Sequence, residues 1–305
     1  MRIVIIGVGG VGGYFGARLA RAGQDVTFVA RRTHLDALRR HGLRVRSSVE
    51  GEYTVAVRAE EKVAGLSPAD AVLLCVKSFD TESALESLRP LIAAETAVLS
   101  LQNGVDNEEK VDAVLGPGHA LGGVAYVFAT LESPGVIAHT FGGRIVFGEL
   151  DGRPTPRAQR LRQVFAAAGI PADLSSDIRR ALWEKYLMIS AQAGMTALTR
   201  CPIGVIRDTP ETWRMYRMIV QELAALGRAA AVALPADAVE TVIGQASSLA
   251  PHLFSSLHHD LIQGKRLELE ALHGHAVRLG ARLGVPTPTV FAVYAALKPL
   301  TQREH

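Results

Sequence analysis

The hydropathic rhythm of the chain changes near its middle. In the first half, short continuous apolar runs alternate with segments whose apolar residues recur every three or four positions. RIVIIG (2–7), DVTFVA (25–30), AVLLCV (71–76) and AVLSL (97–101) are the main apolar runs. They lack the strict alternation of a half-exposed strand, which predicts parallel strands buried on both faces. Between the first two lies an amphipathic segment that stops at Gly23, a natural glycine just past a helix end. Thr33 is placed to cap a second helix, HLDALRRHG, which stops at Gly42. LRVRS and YTVAVRA, on either side of Glu50 and Gly51, predict a hairpin inserted in the sheet. ALGGVAYVFA, GVIAH and RIVFGEL predict further strands, antiparallel ones.

After DGRPTPRAQ (151–159), and again after Ser175, Ser176 and Asp177, the pattern becomes helical: 178–198, 211–233, 237–249, 266–283 and 288–297. Gly204, Leu234-Pro235, Gly264 and Gly284-Val285-Pro286 supply the breaks. The expected architecture is an α/β Rossmann-like domain over 1–176, its parallel sheet extended by antiparallel strands, followed by an all-α domain over 177–305. Two-domain reductases place the reaction in the cleft between such halves.

Composition narrows the partners. Apolar residues make up 48% and charged residues 21% of the 305, the balance of a folded enzyme. A net charge of +3, dispersed along the chain, is no footprint for nucleic acid. No apolar run reaches the roughly 18 residues of a membrane helix, and MRIVIIGVGG is too short and glycine-rich for a signal peptide. Cys75 and Cys201 form no CxxC and no disulfide framework, so a cytoplasmic location is expected. Of the 33 basic residues only six are Lys. Arg and Lys differ in site chemistry, so each retained Lys merits inspection.

Gly7-Val8-Gly9-Gly10-Val11-Gly12 fits GxGxxG, following one predicted strand and opening a helix. Gly7 permits the tight turn, Gly9 lets the backbone approach a pyrophosphate, and Gly12 lets helix and strand pack closely. The helix that starts here offers unpaired N–H groups and the positive end of its dipole. In the NAD-binding form of this unit an acidic residue ends the second strand. Here Arg31 and Arg32 stand there, which reverses the preference toward the 2′-phosphate of NADP. Each charge-assisted contact contributes about 1.5–3 kcal/mol, so the pair implies at least a roughly tenfold preference. Arg31 is the principal candidate, and Arg32 is also readable as a solvated surface residue.

Lys77 ends the AVLLCV run, at the carboxyl edge where open α/β sheets bind ligands. Asn103, with Gly104, follows the next strand at the same edge; an Asn-Gly pair is also an ordinary turn. Lys185 lies on the first helix of the second half, among Trp183, Tyr186 and Met188. A lysine on a mostly apolar helix is more often snorkelling than catalytic.

Together these residues resemble the ketopantoate reductase (2-dehydropantoate 2-reductase) family over nearly the whole chain. The resemblance is carried by GVGGVG, FVARR, LLCVKS and LQNGVDNEE, then by LWEKYLMISAQAGMTALTR, CPIGVIR, FSSLHHDLIQGKRLELE and GVPTPT, in that order. It implies an NADPH-dependent reduction of the C2 carbonyl of a 2-oxo acid, usually ketopantoate to pantoate in pantothenate and coenzyme A synthesis. It also implies that Lys185 donates the proton to the carbonyl oxygen, and that Glu268 lies by that lysine and the nicotinamide ribose. Ser256 would hold the substrate carboxylate, while Asn103 and Lys77 would line the cofactor and reaction centre. A cationic ammonium suits this chemistry because negative charge grows on the carbonyl oxygen as hydride arrives. Burial would lower the lysine pKa from its free value of about 10.4, and Glu268 would oppose the shift.

The chain departs from the family pattern at three positions. Ile189, Ala193 and Ile203 stand where many members carry asparagines. A pocket without those amides discriminates little in favour of a hydroxylated substrate, so a less polar 2-oxo acid is the alternative. Gln192 and Thr196 fall within about 20° of Lys185 on a helical wheel and are the expected compensation.

His258, His259, His273 and His275 have no metal-ligand spacing, and no metal is expected. The Ala- and Leu-rich stretch 219–234 reads equally as a homodimer face or as core. The rival functions are another NADP-dependent reductase, of 3-hydroxy acids, imines or opines, and a non-catalytic NADP-sensing protein. Lys185 and Glu268 together argue against the sensor.

Overall fold

The computed structural model describes residues 1–302. It divides into two compact units: Met1–Gln102 with Asp106–Ile178, and 103–105 with the chain from Arg179 onward.

In the first unit, β1 (Arg2–Ile6) leads into α1 (Gly10–Arg21), β2 (Asp25–Val29) and α2 (Arg32–His41). β3 (Leu43–Ser47), β4 (Gly51–Val55) and β5 (Arg58–Glu60) follow, then β6 (Ala71–Leu74), α3 (Thr81–Leu88), β7 (Ala97–Ser100) and α4 (Asn107–Leu115). The unit closes with β8 (Ala120–Ser133), β9 (Val136–Gly148), α5 (Pro156–Ala167) and β10 (Ala172–Leu174). The strands form one ten-stranded sheet in the order β4-β3-β9-β8-β7-β6-β1-β2-β5, with β10 paired to β9. Pairing is parallel from β8 through β7, β6, β1 and β2 to β5, and antiparallel between β8 and β9 and between β3 and β4.

The continuous apolar runs have the physical basis expected of them. Ile3 and Ile5 of β1 belong to the core on one face of the sheet, Val4 and Ile6 to the core on the other. Leu73 and Leu99 repeat the first alignment, Val72 and Val98 the second. A strand buried on both sides has no polar face to alternate with.

Some local expectations are corrected. YTVAVRA is not one strand. Its first part is β4, antiparallel to β3, and its end is β5, which pairs parallel with β2. Thr33 caps nothing: Arg31 holds the N-cap position of α2, and the chain enters the helix through Arg32, at φ 53°. Gly23 and Gly42 do end their helices, both at positive φ.

The second unit contains α6 (Ile178–Thr199), which starts at the last residue of the first unit, α7 (Ile203–Asp208), α8 (Pro210–Ala229) and α9 (Ala238–Ser248). α10 (Ser256–Ile262), α11 (His275–Leu283) and α12 (Pro288–Leu297) complete it. α7 and α10 are too short to show a period in the sequence. Gly204 is helical rather than a break: its N–H donates to the Pro251 carbonyl at 2.9 Å, and a Cβ there would lie 2.6 Å from the Pro251 side chain. The helix expected over 266–283 begins later, with a single π-turn at Glu270–Gly274. The 219–234 stripe is core: Ile219, Val220, Leu223, Ala224 and Leu226 are fully buried inside this unit. Glu222 of α8 accepts the backbone N–H groups of Thr289 and Val290, supplying the start of α12 with its missing acceptors. Among the described residues no helix is long and apolar enough to cross a membrane.

Candidate active site

The glycine turn follows β1, and its glycines do not all serve one purpose. Gly7 adopts φ 92°, and a Cβ on it would lie 2.5 Å from the backbone N of Val76. A Cβ on Gly10 would lie 1.9 Å from the Ala129 carbonyl of β8, and one on Gly12 would lie 2.3 Å from the Gly7 carbonyl. These two glycines let α1 pack against the sheet. Gly9 differs: a Cβ there meets nothing within 4 Å. It is the N-cap of α1, and no side chain caps the helix. Val8 is buried and Val11 packs on the core, so their contribution at this turn is through backbone N–H groups. Open space beside Gly9 at an uncapped helix N-terminus fits a diphosphate.

Arg31 and Arg32 lie just past β2, which runs parallel to β1 with Val29 opposite Ile6. Both are exposed, and among the described residues neither guanidinium has an ion pair or side-chain hydrogen bond. Left-handed φ at Arg32 is a strained conformation for a residue with a side chain.

Lys77 is exposed and precedes a short 3₁₀ turn, Ser78–Asp80, at the carboxyl end of β6. The sequence reading missed the residue that fixes this loop. Buried Gln102 donates from Nε2 to the Val76 carbonyl at 2.8 Å and to Thr81 Oγ1 at 2.7 Å. A glutamine directly after an apolar strand was the available signal. Asn103, the next residue, is half-buried and belongs to the second unit.

In the second unit Lys185 sits half-buried on α6. Burial pulls its pKa from 10.5 down to about 8, and the charge of Glu268 opposes the fall without cancelling it. Desolvation therefore wins the contest that sequence left open. Glu268 is 7% exposed and lies just ahead of the π-turn. Tyr186 Oη donates to the Leu272 carbonyl at 2.5 Å, and Ser190 Oγ donates to the same oxygen at 3.4 Å. His273 Nε2 meets the Ser190 carbonyl at 3.0 Å. These partners, separated by more than 80 positions, carried no local signal.

Gln192 lies about two turns further on the Lys185 side of α6. Its Oε1 is buried and has no hydrogen-bond partner. Thr196 departs from expectation. It is fully buried, and its hydroxyl is committed to the Gln192 carbonyl and to Ser255 Oγ, each at 2.7 Å. Its single O–H is spent within the fold, and the residue presents no exposed surface to a ligand. Ser255 is the N-cap of α10 and accepts the His258 N–H at 3.1 Å. Ser256, next to it, is exposed in the first turn. The two serines thus divide the tasks: one holds α10 against α6, the other faces outward. Of the three positions where asparagines were absent, Ala193 and Ile203 are buried in the helical core and only Ile189 is partly exposed. His258 stacks on Phe254 at 4.0 Å, which accounts for it as packing.

Residues 3–152 match the family described as ketopantoate reductase PanE/ApbA, and residues 177–301 match its C-terminal counterpart. An uncharacterized oxidoreductase, YkpB, of Bacillus subtilis is 32% identical over 302 residues, 98% of each chain. A 2-dehydropantoate 2-reductase of Mesorhizobium japonicum is also 32% identical, again covering 98% of each. The crystal structure of a PanE/ApbA family ketopantoate reductase from Ralstonia eutropha JMP134 superposes with a TM-score of 0.92 at 35% identity, over 99% of both chains. With both halves matched in order, this chain belongs to the ketopantoate reductase family of oxidoreductases.

Proposed function

We propose that the protein reduces the C2 carbonyl of a 2-oxo acid to a 2-hydroxy acid with NADPH, and that 2-dehydropantoate is its substrate. The observation that carries this reading is Lys185, an ammonium whose pKa is brought to about 8 by burial while Glu268 favours its charged form. A group with that pKa is mostly protonated at neutral pH yet releases its proton readily, as a general acid must. The nicotinamide, when bound, supplies a hydride. Lys185 stabilises the charge that grows on the carbonyl oxygen and then transfers its proton there. Glu268 holds the lysine in its charged form. Ser256 hydrogen-bonds the substrate carboxylate, and Gln192 offers its unused Oε1 to a donor on the substrate. Asn103 and Lys77 line the cofactor, Gly7 to Gly12 receive the diphosphate, and Arg31 with Arg32 selects the 2′-phosphate. The absence of CxxC and of any paired cysteine supports a cytoplasmic setting.

A second reading has its own support. With Ala193 in the core and Thr196 committed internally, the α6 face around Lys185 has fewer amides and hydroxyls than the family pattern. That composition favours a less polar 2-oxo acid.

The test is NADPH oxidation against a panel of 2-oxo acids that includes ketopantoate, with Lys185→Ala alongside. Strong ketopantoate turnover, abolished in the variant, supports the first reading. A better apolar 2-oxo acid supports the second, and no turnover of any overturns both in favour of an NADP sensor.

A further inference from the structure

The proton-donor role proposed for Lys185 requires its partner Glu268 to be held at a fixed place, and the backbone around Glu268 is irregular. Residues 265–268 form no regular structure, and the helix after them opens with a π-turn. Isolated π-turns concentrate at functional sites. This one is fastened to α6 through two adjacent residues: the Leu272 carbonyl accepts from Tyr186 and Ser190, and the His273 ring reaches the Ser190 carbonyl of α6. Tyr186 directly follows Lys185 in the chain. The turn is held on its other side as well. The Glu270 carboxylate accepts the Tyr294 hydroxyl at 2.8 Å, and it is paired with Arg278 at 2.5 Å and with Lys298. α6 makes room for the imidazole with Gly194, where a Cβ would sit 2.5 Å from His273 Nε2.

We propose that Tyr186 and His273 are positioning residues: they clamp the π-turn Glu270–Gly274 onto α6 and so fix Glu268 beside Lys185. This rests on Lys185 being the acid. Packing alone does not explain an imidazole here. His273 is fully buried, yet its Nδ1 has no hydrogen-bond partner, a cost that a leucine of similar volume would avoid. Facing a carbonyl, Nε2 must carry the proton, and burial keeps the ring neutral by pushing its pKa down to about 4. The imidazole therefore serves as a fixed N–H donor, and no titration of His273 enters the working range. The charge of Glu268 acts on the Lys185 ammonium, while neighbouring Glu184 is engaged by Arg180 at 2.7 Å.

The test compares His273→Leu, His273→Gln and Tyr186→Phe with the natural protein by two measurements. One is the pH profile of kcat. The other is the Lys185 pKa, followed by NMR on protein whose lysines carry ¹³C-methyl labels and assigned with Lys185→Arg. If the clamp positions Glu268, His273→Leu loses the influence that raises the lysine pKa. Both the alkaline limb and the NMR pKa then move down by about one unit. kcat falls about tenfold. His273→Gln, which restores an N–H near Nε2, recovers most of the shift, and Tyr186→Phe moves it in the same direction by less. An unchanged Lys185 pKa in His273→Leu overturns the proposal, as does a His273→Gln that recovers nothing. Should His273→Leu fail to fold, Tyr186→Phe decides by the same titration. If the natural protein reduces no 2-oxo acid, the functional reading fails, but the NMR titration still tests the clamp.

Discussion

The glycine turn of the first unit and the Lys185 region of the second are built on opposite principles. The turn is backbone: six consecutive residues, a strand before and a helix after, with most side chains reduced to hydrogen. The lysine region is side chain. Lys185 and Glu268 lie 83 positions apart, and they are brought into one region by contacts from α6 to a π-turn. A site made of local backbone geometry tolerates little variation and leaves a legible motif. A site assembled from distant side chains leaves single letters, whose meaning depends on the packing around them.

The largest expected effect tests the side-chain site. Lys185→Ala should lower kcat by about 100- to 10,000-fold, the range for loss of a general acid. In the natural protein kcat should be highest below about pH 8 and fall as pH rises through the Lys185 pKa, because the lysine must hold its proton in order to donate it. The same shift has a stability sign. Folding lowers this pKa, so folding opposes the charged form; the penalty is full below about pH 8 and fades as pH climbs toward 10.5. Lys185→Met should therefore be catalytically dead yet melt at a higher temperature than the natural protein at pH 7, measured by calorimetry. A lower Tm would show that the ammonium is a structural ion pair instead.

The backbone site should separate binding from folding within two neighbouring residues. Gly9→Ala adds a methyl group that touches nothing in the fold, and Gly9 already has φ −87°. It should leave Tm unchanged while weakening NADPH binding at least about tenfold, because the methyl group fills the space a diphosphate needs. Gly10→Ala drives its methyl group into the Ala129 carbonyl and should lower Tm markedly before binding is considered. Equal effects on Tm from both would remove the distinction between a ligand cradle and a packing glycine. On the same side of the first unit, Arg31→Ala should raise the NADPH Kd about 10- to 100-fold, the loss of one charge-assisted contact, and leave the NADH Kd unchanged. Arg32→Ala should have the smaller effect of the two.

How much was legible follows from the same contrast. The doubly buried strands were readable because Ile3 to Ile6 need apolar residues on both faces of the sheet. The strand–turn–helix of GxGxxG was readable because its glycines have a backbone reason to stand where they do. The split of YTVAVRA into β4 and β5 was hidden, because apolar content marks a strand but not its partner. Lys185 and Glu268 were marked by family resemblance; periodicity alone favoured a snorkelling lysine. The contacts of Tyr186 and His273 left no local signal, and Gln102 left only its place after an apolar run. Each acts through a backbone carbonyl of a distant segment, and a carbonyl has no letter. Thr196 shows the reverse error. The helical wheel correctly placed it on the Lys185 face, but a wheel cannot show that Ser255 and the Gln192 carbonyl already use its hydroxyl.

The smallest expected effect concerns selectivity among substrates, where the three apolar replacements are not equivalent. Ile189 is partly exposed, so Ile189→Asn introduces an amide with access to solvent and to a ligand. It should shift the ratio of kcat/KM toward hydroxylated over apolar 2-oxo acids by about tenfold, the scale of one added hydrogen bond, with little change in Tm. Ala193→Asn and Ile203→Asn would instead place amides among fully apolar neighbours, where an unpaired amide costs about 1–3 kcal/mol and asparagine also overfills the alanine site. These two should lower Tm with no gain in selectivity. If Ala193→Asn or Ile203→Asn improves ketopantoate turnover without loss of stability, then those positions face substrate rather than core, and the selectivity of the pocket is set from deeper in α6 and α7 than the burial of these residues implies.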